Sequence, residues 1–152
     1  MIQLPSTNSP TATTHLIKLC VGIKSVDQLI EYRQRREAQG LGRADGLTVH
    51  RTRMMPTRGE QIEGRGSLYW VINGAVRARQ AIVSLKKAVD GEGRKCCDIL
   101  MAPEIIRTAP YPKRPFQGWR YFRPEDAPVD MDSESSANDE QLAEELVKLG
   151  LL

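Results

Sequence analysis

Ten side chains in this sequence have the types and spacing to hold a polyanion: Arg51, Arg53, Arg77, Arg79, Tyr111, Lys113, Arg114, Phe116, Trp119 and Arg120. Guanidinium forks grip phosphate oxygens in pairs, and exposed aromatic faces stack on unpaired bases. The aromatic part of the set is concentrated. Five of the chain's eight aromatic residues lie between Tyr111 and Phe122, interleaved with Lys113, Arg114 and Arg120. Prolines before them would keep that stretch extended at low entropic cost. Trp119 and Phe122 also suit a second role, as anchors that close the last element onto a core, because large aromatics are usually mostly buried.

Other chemistry is thinly represented. The two histidines, His15 and His50, stand in no HExxH, and there is no GxSxG, P-loop or GxGxxG pattern. His50 lies among arginines, whose charge disfavours its protonated form and suits it to be a neutral base or hydrogen-bond partner. Glu60, Glu63, Asp98 and Glu104 form no pair for general acid–base work. Three cysteines, two of them adjacent (Cys96 and Cys97), make neither a disulfide framework nor a zinc pair. On a strand, Cys96 and Cys97 would alternate, one in the core and one outside, and Cys20 reads as core. These patterns imply no catalytic residue, no metal and no cofactor. An enzyme with a small pocket near Tyr69, Trp70 and His50 is the weakest reading.

Charge is polarised along the chain. Through Arg123 there are 21 Lys/Arg against 10 Asp/Glu; from Pro124 onward there is one Lys against nine Asp/Glu. A basic body with an acidic tail suggests that the tail competes with anionic partners for the basic face, or simply solubilises it. No apolar run reaches membrane-spanning length, and the first residues lack a signal-peptide pattern. With the cysteine usage, this points to a reducing cytoplasm and no membrane.

The elements that would position these residues can be read from periodicity. Residues 1–13 are Ser/Thr/Pro-rich and read as disordered. THLIKLCV at 14–21 reads as a buried first strand, with Lys18 the charged residue within it. Ser25 and Gln28 form a capping box opening a helix whose inner stripe is Val26, Leu29, Ile30 and Arg33. LTVHRTR at 47–53 reads as a second strand, with Thr48, His50 and Thr52 on one face. Thr57 and Glu60 repeat the capping spacing before a turn of helix. SLYWVIN at 67–73 is strongly strand-like, and puts Tyr69 and Trp70 on opposite faces. Residues 75–89 fit either a helix or a long, bulged strand with Arg77 and Arg79 on one face; the hairpin signal Asp90–Gly93 before KCCDILM favours the strand. The segment 107–115 is too rich in proline to read as regular structure. Residues 139–149 place Leu142, Leu146 and Leu149 on one helical face. The expected fold class is α+β: a small, mostly antiparallel sheet or partly open barrel over 14–123, with one main helix packed on it and an acidic tail from 124 to 152.

Three blocks, THLIKLCVG at 14–22, GSLYWVINGAVRARQAI at 66–82 and PYPKRPFQGWRYFRPEDAP at 110–128, carry a resemblance. Together they resemble an uncharacterised alphaproteobacterial family, a domain of unknown function. That resemblance implies a bacterial, cytoplasmic setting and supplies no established activity. The order of strands is also loosely similar to PUA/ASCH-type barrels, which bind RNA or modified bases.

The resulting expectation is a non-catalytic nucleic-acid-binding domain, for RNA or single strands. The alternative is a protein-interaction adaptor working through the Pro/aromatic segment and the helix at 139–149, since Tyr, Trp and Arg also dominate protein interfaces.

Overall fold

A computed structural model describes residues 12–131. The elements run β1 (His15–Leu19), α1 (Val26–Ala38), β2 (Thr48–Thr52), α2 (Gly59–Ile62), β3 (Ser67–Ile72), β4 (Ala75–Val89), β5 (Lys95–Met101), β6 (Ile106–Pro112) and β7 (Trp119–Phe122). A single 3-10 turn at Pro124–Asp126 follows. The fold is α+β, as expected: a seven-stranded, mostly antiparallel sheet ordered β2-β5-β4-β3-β1-β7, with β6 also paired to β4. Only β1 and β3 run parallel, joined by the crossover that contains α1.

β4 organises the sheet. Its first half pairs with β3 on one side and β6 on the other, and its second half pairs with β5. The β3–β4 turn is two residues, Asn73 and Gly74, both with positive φ, the conformation of a tight hairpin. Beyond it a bulge places Arg77 between the pairs Val71–Val76 and Trp70–Ala78. The bulge turns Arg77 inward: it is 2% exposed, and its guanidinium donates to the carbonyls of Ile72 and Asn73.

The sheet curls strongly. β2 and β3 are three strand spacings apart in the order, about 14 Å on a flat sheet. Yet the His50 and Trp70 rings meet edge to face with centroids 5.1 Å apart. The two ends of the sheet approach without pairing. Trp119 Nε1 on β7 donates to the Met54 carbonyl after β2 (2.8 Å), and the Tyr121 hydroxyl accepts from the amides of Thr57 and Arg58. The result is a partly open barrel with a seam between β2 and the β1–β7 corner.

Two apolar clusters follow from strand alternation. Leu16, Leu68, Trp70, Ile72, Ile82, Cys97, Ile99 and Met101 face inward, covered by Val26 and Leu29 of α1 and Ile62 of α2. Ile17, Tyr69, Val71, Val76 and Phe122 face outward beneath Tyr111, Phe116 and Ala127. Both Tyr69 and Trp70 are therefore buried, one in each cluster. Gln80, fully buried, ties the inner face together. It accepts from Trp70 Nε1 (3.0 Å) and donates to Thr48 Oγ1 and the Ala102 carbonyl (3.0 Å each).

Several expectations need correction. Residues 106–112 form a strand despite Pro110 and Pro112. The register between the pairs Val76–Tyr111 and Ala78–Arg107 is shifted, and this irregularity accommodates Pro110. Thr57 does not cap α2; its hydroxyl lies 3.2 Å from that of Tyr121, and Arg58 takes the cap position with no side-chain bond. Cys96 and Cys97 are both buried, at 6% and 0% exposure. Residues 124–131 pack on the body: the Ala109 amide donates to Val129 and the Met131 amide to Arg107, and Asp130 pairs with Arg79. Ser25 does cap α1, accepting from the Gln28 amide, while Gln28 accepts from the amide of Lys24. The helix expected at 139–149 lies outside the described residues.

Replacing Gln80 by Leu would strand the buried Trp70 N–H and the Ala102 carbonyl. Unpaired buried groups cost about 1–3 kcal/mol each, so Q80L should lose about 3 kcal/mol of unfolding free energy in denaturant titration.

Candidate nucleic-acid interface

The seam exists because β2 pairs only with β5, leaving its other edge unpartnered by any described strand. Two cavities border that strand. The first, about 580 Å³, lies between α1 (Ile30, Arg33, Glu37) and β2 (Thr48, Val49, His50), roofed by the 41–47 loop. The second, about 480 Å³, lies between Arg51–Met54 and the β1–β7 corner, where Lys18, Gly118 and Trp119 line it.

Cations occupy positions where the fold calls for apolar side chains. Lys18 alternates with Leu16 and Cys20 on the inward face of β1, and in register it stands between Trp70 of β3 and Trp119 of β7. Arg33 follows Leu29 by four residues on the inner stripe of α1. His50 points inward from β2 against Trp70. Arg33 Nη1 and His50 Nε2 are both withdrawn from solvent without a hydrogen-bond partner. Such unpartnered buried polar atoms are rare in native structures.

Electrostatics follow from this crowding. Burial, reinforced by the positive charges of Lys18 and Arg33, pushes the His50 imidazole down to about 4. Burial also lowers the Lys18 ammonium and, foremost among its causes, the Arg33 guanidinium. Glu37 and Asp90 are the carboxylates lining these cavities. Glu37 is exposed, and Asp90 is engaged by Arg94 within its own hairpin.

The ten residues singled out from sequence have separate fates. Arg51 is held by Asp98 through two bonds of 2.7 and 3.0 Å, across the β2–β5 ladder. Arg79 is held likewise by Asp130 at 2.8 and 2.7 Å. Arg77 is buried on backbone carbonyls. Tyr111 meets Phe122 edge to face on the outer side. Phe116 lies beside Arg120 (4.5 Å) and Lys113 (5.9 Å) there, so its ring faces its own chain's cations. Arg114 is exposed. Arg53 and Trp119 line the second cavity, with Arg51 beside them. Phe122 is an anchor at 5% exposure, whereas Trp119 is only partly buried.

Lys18 and Arg33 were missed as functional residues, although both break a pattern. A lysine within an apolar strand and an arginine on a helix's inner stripe are local violations of the kind that functional sites produce.

Fold and site together define a curled α+β domain with a cationic seam. The chain belongs to the family described as a protein of unknown function, DUF1489, whose model matches residues 16–152. The match runs through the acidic tail, beyond the 14–128 spanned by the motifs. No curated protein and no solved structure matches the chain.

His50 sets a pH dependence. Its pKa is 6.5 when unperturbed and about 4 in the fold, so between these values the unfolded chain binds more protons and stability falls as pH drops. From about pH 7 to about pH 5 this group removes about 2 kcal/mol. In H50Q, melting temperature should fall less across that interval than in the natural chain.

Proposed function

We propose that the chain is a non-catalytic nucleic-acid-binding domain that takes an unpaired strand, RNA or single-stranded DNA, along the seam beside β2. The observation that carries this reading is the gathering of Lys18, Arg33 and His50 along the seam, Arg33 and His50 on the first cavity and Lys18 on the second. The positive charges of Lys18 and Arg33 would draw a phosphate to the seam, and Trp119, half-buried next to Lys18, would offer an aromatic surface to a base. Cavities of this size suit single nucleotides and exclude a duplex. Arg53 on the second cavity and Arg36 and Arg43 on the first extend the positive rim, although Arg43 is already paired with Asp45. Relative to the residues first singled out, the phosphate contacts move from Arg51, Arg77 and Arg79 to Lys18, Arg33 and Arg53.

A hydrolytic reading has less support, because His50 Nε2 makes no hydrogen bond and Glu37 does not engage it.

Binding of short single-stranded RNA, followed by fluorescence anisotropy, should weaken with salt, and K18A should lower both the affinity and the salt slope, the latter by about one. Undetectable binding, or binding indifferent to salt and to K18A, would overturn the proposal. The tail provides a second test. Residues 132–152 carry six acidic side chains and one lysine. Truncation after Met131, which keeps the packed 124–131 segment, should tighten binding several-fold at low salt and little at high salt.

A further inference from the structure

Exposed apolar side chains gather at one place on this domain. Tyr32, Leu41 and Val49 are 42%, 56% and 45% exposed, three of the eight exposed large apolar side chains among the described residues. All three line the cavity between α1 and β2, with Ile30, Leu47 and Ile105 beside them. An exposed apolar surface rimmed by charge is the mark of a docking site. The rim is mainly basic: Arg36 and Arg43 border the cavity, and Glu37 is the one carboxylate that lines it.

The chain delivers a segment of matching character to this spot. Residues 129–131 run antiparallel to β6: Val129 accepts from the Ala109 amide, Asp130 bridges Thr108, and the Met131 amide donates to the Arg107 carbonyl. That direction leads towards Ile105, two residues before Arg107 and on the cavity wall. Arg107 also pairs with Asp27 in the first turn of α1, so Met131 lies beside the helix that forms the other wall. Beyond it, residues 132–138 are a polar connector that can reach at most about 25 Å. Leu142, Leu146 and Leu149 follow at helical spacing, a stripe about 10 Å long that Asp139 and Glu145 would flank on either side. The α1 wall from Ile30 to Glu37 is also about 10 Å long. An eleven-residue helix is marginal in water and needs an apolar partner to form. The family match runs to residue 152, so this segment belongs to the length that the family shares.

We propose that the cavity between α1 and β2 is the docking groove for the chain's own residues 139–149. Leu142, Leu146 and Leu149 lie as a helical stripe against Tyr32, Leu41 and Val49. Asp139 and Glu145 meet the basic rim at Arg36, and at Arg43 beside its Asp45 partner. Tethering sets an effective concentration on the order of millimolar, so a groove of modest intrinsic affinity is filled. The docked segment covers part of the seam, and a ligand taken along β2 must displace it. The docking itself does not depend on that ligand being a nucleic acid.

Hydrogen exchange read by mass spectrometry tests this on the full chain with no ligand added. Amides of residues 139–149 should exchange at least about tenfold more slowly than in a synthetic peptide of residues 132–152. L146S in the segment, and L41E at the exposed rim of the groove, should each return them to the peptide's rate. V49E, checked for an unchanged circular dichroism spectrum, is a second change on the groove side. Exchange at the peptide's rate in the natural chain would overturn the docking. Protection that survives both L41E and V49E would place the segment elsewhere and overturn the groove. Protection that rises with protein concentration, with a doubled mass in sedimentation, would assign the segment to a second copy's groove and overturn docking within one chain. None of these outcomes alters the RNA titration, so failure of the docking and failure of the single-strand reading remain distinguishable.

Discussion

A fifteen-residue strand that must satisfy three partners is the constraint on which the rest of this structure depends. β4 holds β3 along one edge, and β6 and then β5 along the other, and its bulges let it do so by bending. Bending one long strand twists every neighbour the same way, which is why His50 on β2 can touch Trp70 on β3. Gln80 lies near the middle of β4 and fixes that curvature from inside, bonding to side chains of β3 and β2 and to the connection after β5. The sheet curls far enough to bring its ends together, but not far enough to pair them. Side-chain hydrogen bonds from Trp119 and Tyr121 bridge one end of the gap, and the remainder is the seam.

The two faces of the sheet then acquire different characters. The outer face is finished by the chain itself: β6, the 113–118 connection and residues 124–131 lie over Tyr69, Val76 and Phe122, and Asp130 neutralises Arg79. Arg79 and Arg120 are both engaged on this side, by Asp130 and by the ring of Phe116. The inner face is less complete. Lys18, Arg33 and His50 displace apolar side chains from it without acquiring carboxylate partners, and the pKa shifts record the cost of placing three such groups in one partly dry site. An incompletely satisfied inner face and a well-satisfied outer one favour a ligand on the inner side.

Much of the fold was legible because local signals agreed with tertiary demands. The Ser25 cap, the SLYWVIN strand, the Asp90–Gly93 hairpin and the α+β class all rest on short-range patterns that packing reinforced. β6 was not legible, since its prolines argue against a strand, and only an edge position with an irregular register makes them harmless. The site was legible in kind but not in place. Counting exposed-looking arginines cannot reveal that Arg51 and Arg79 will meet Asp98 and Asp130, which lie 47 and 51 residues away in the chain. Nor can it reveal that a bulge will bury Arg77. Lys18 and Arg33 were visible as charges in apolar stripes, but each alone reads as a minor irregularity. Their significance appears only when the parallel β1–β3 pairing and the α1 crossover bring them to the two cavities of one seam.

The most direct measurement is a ¹⁵N nuclear magnetic resonance titration of the full chain with a short single-stranded RNA, following the indole N–H signals of Trp70 and Trp119 and the guanidinium signal of Arg33. The account predicts that Trp119 and Arg33 shift in a saturable, concerted manner, while the backbone signals around Phe116 and Arg120 on the outer face stay in place. Shifts confined to Lys113, Arg114, Phe116 and Arg120 on that outer face, with Trp119 and Arg33 unmoved, would contradict it.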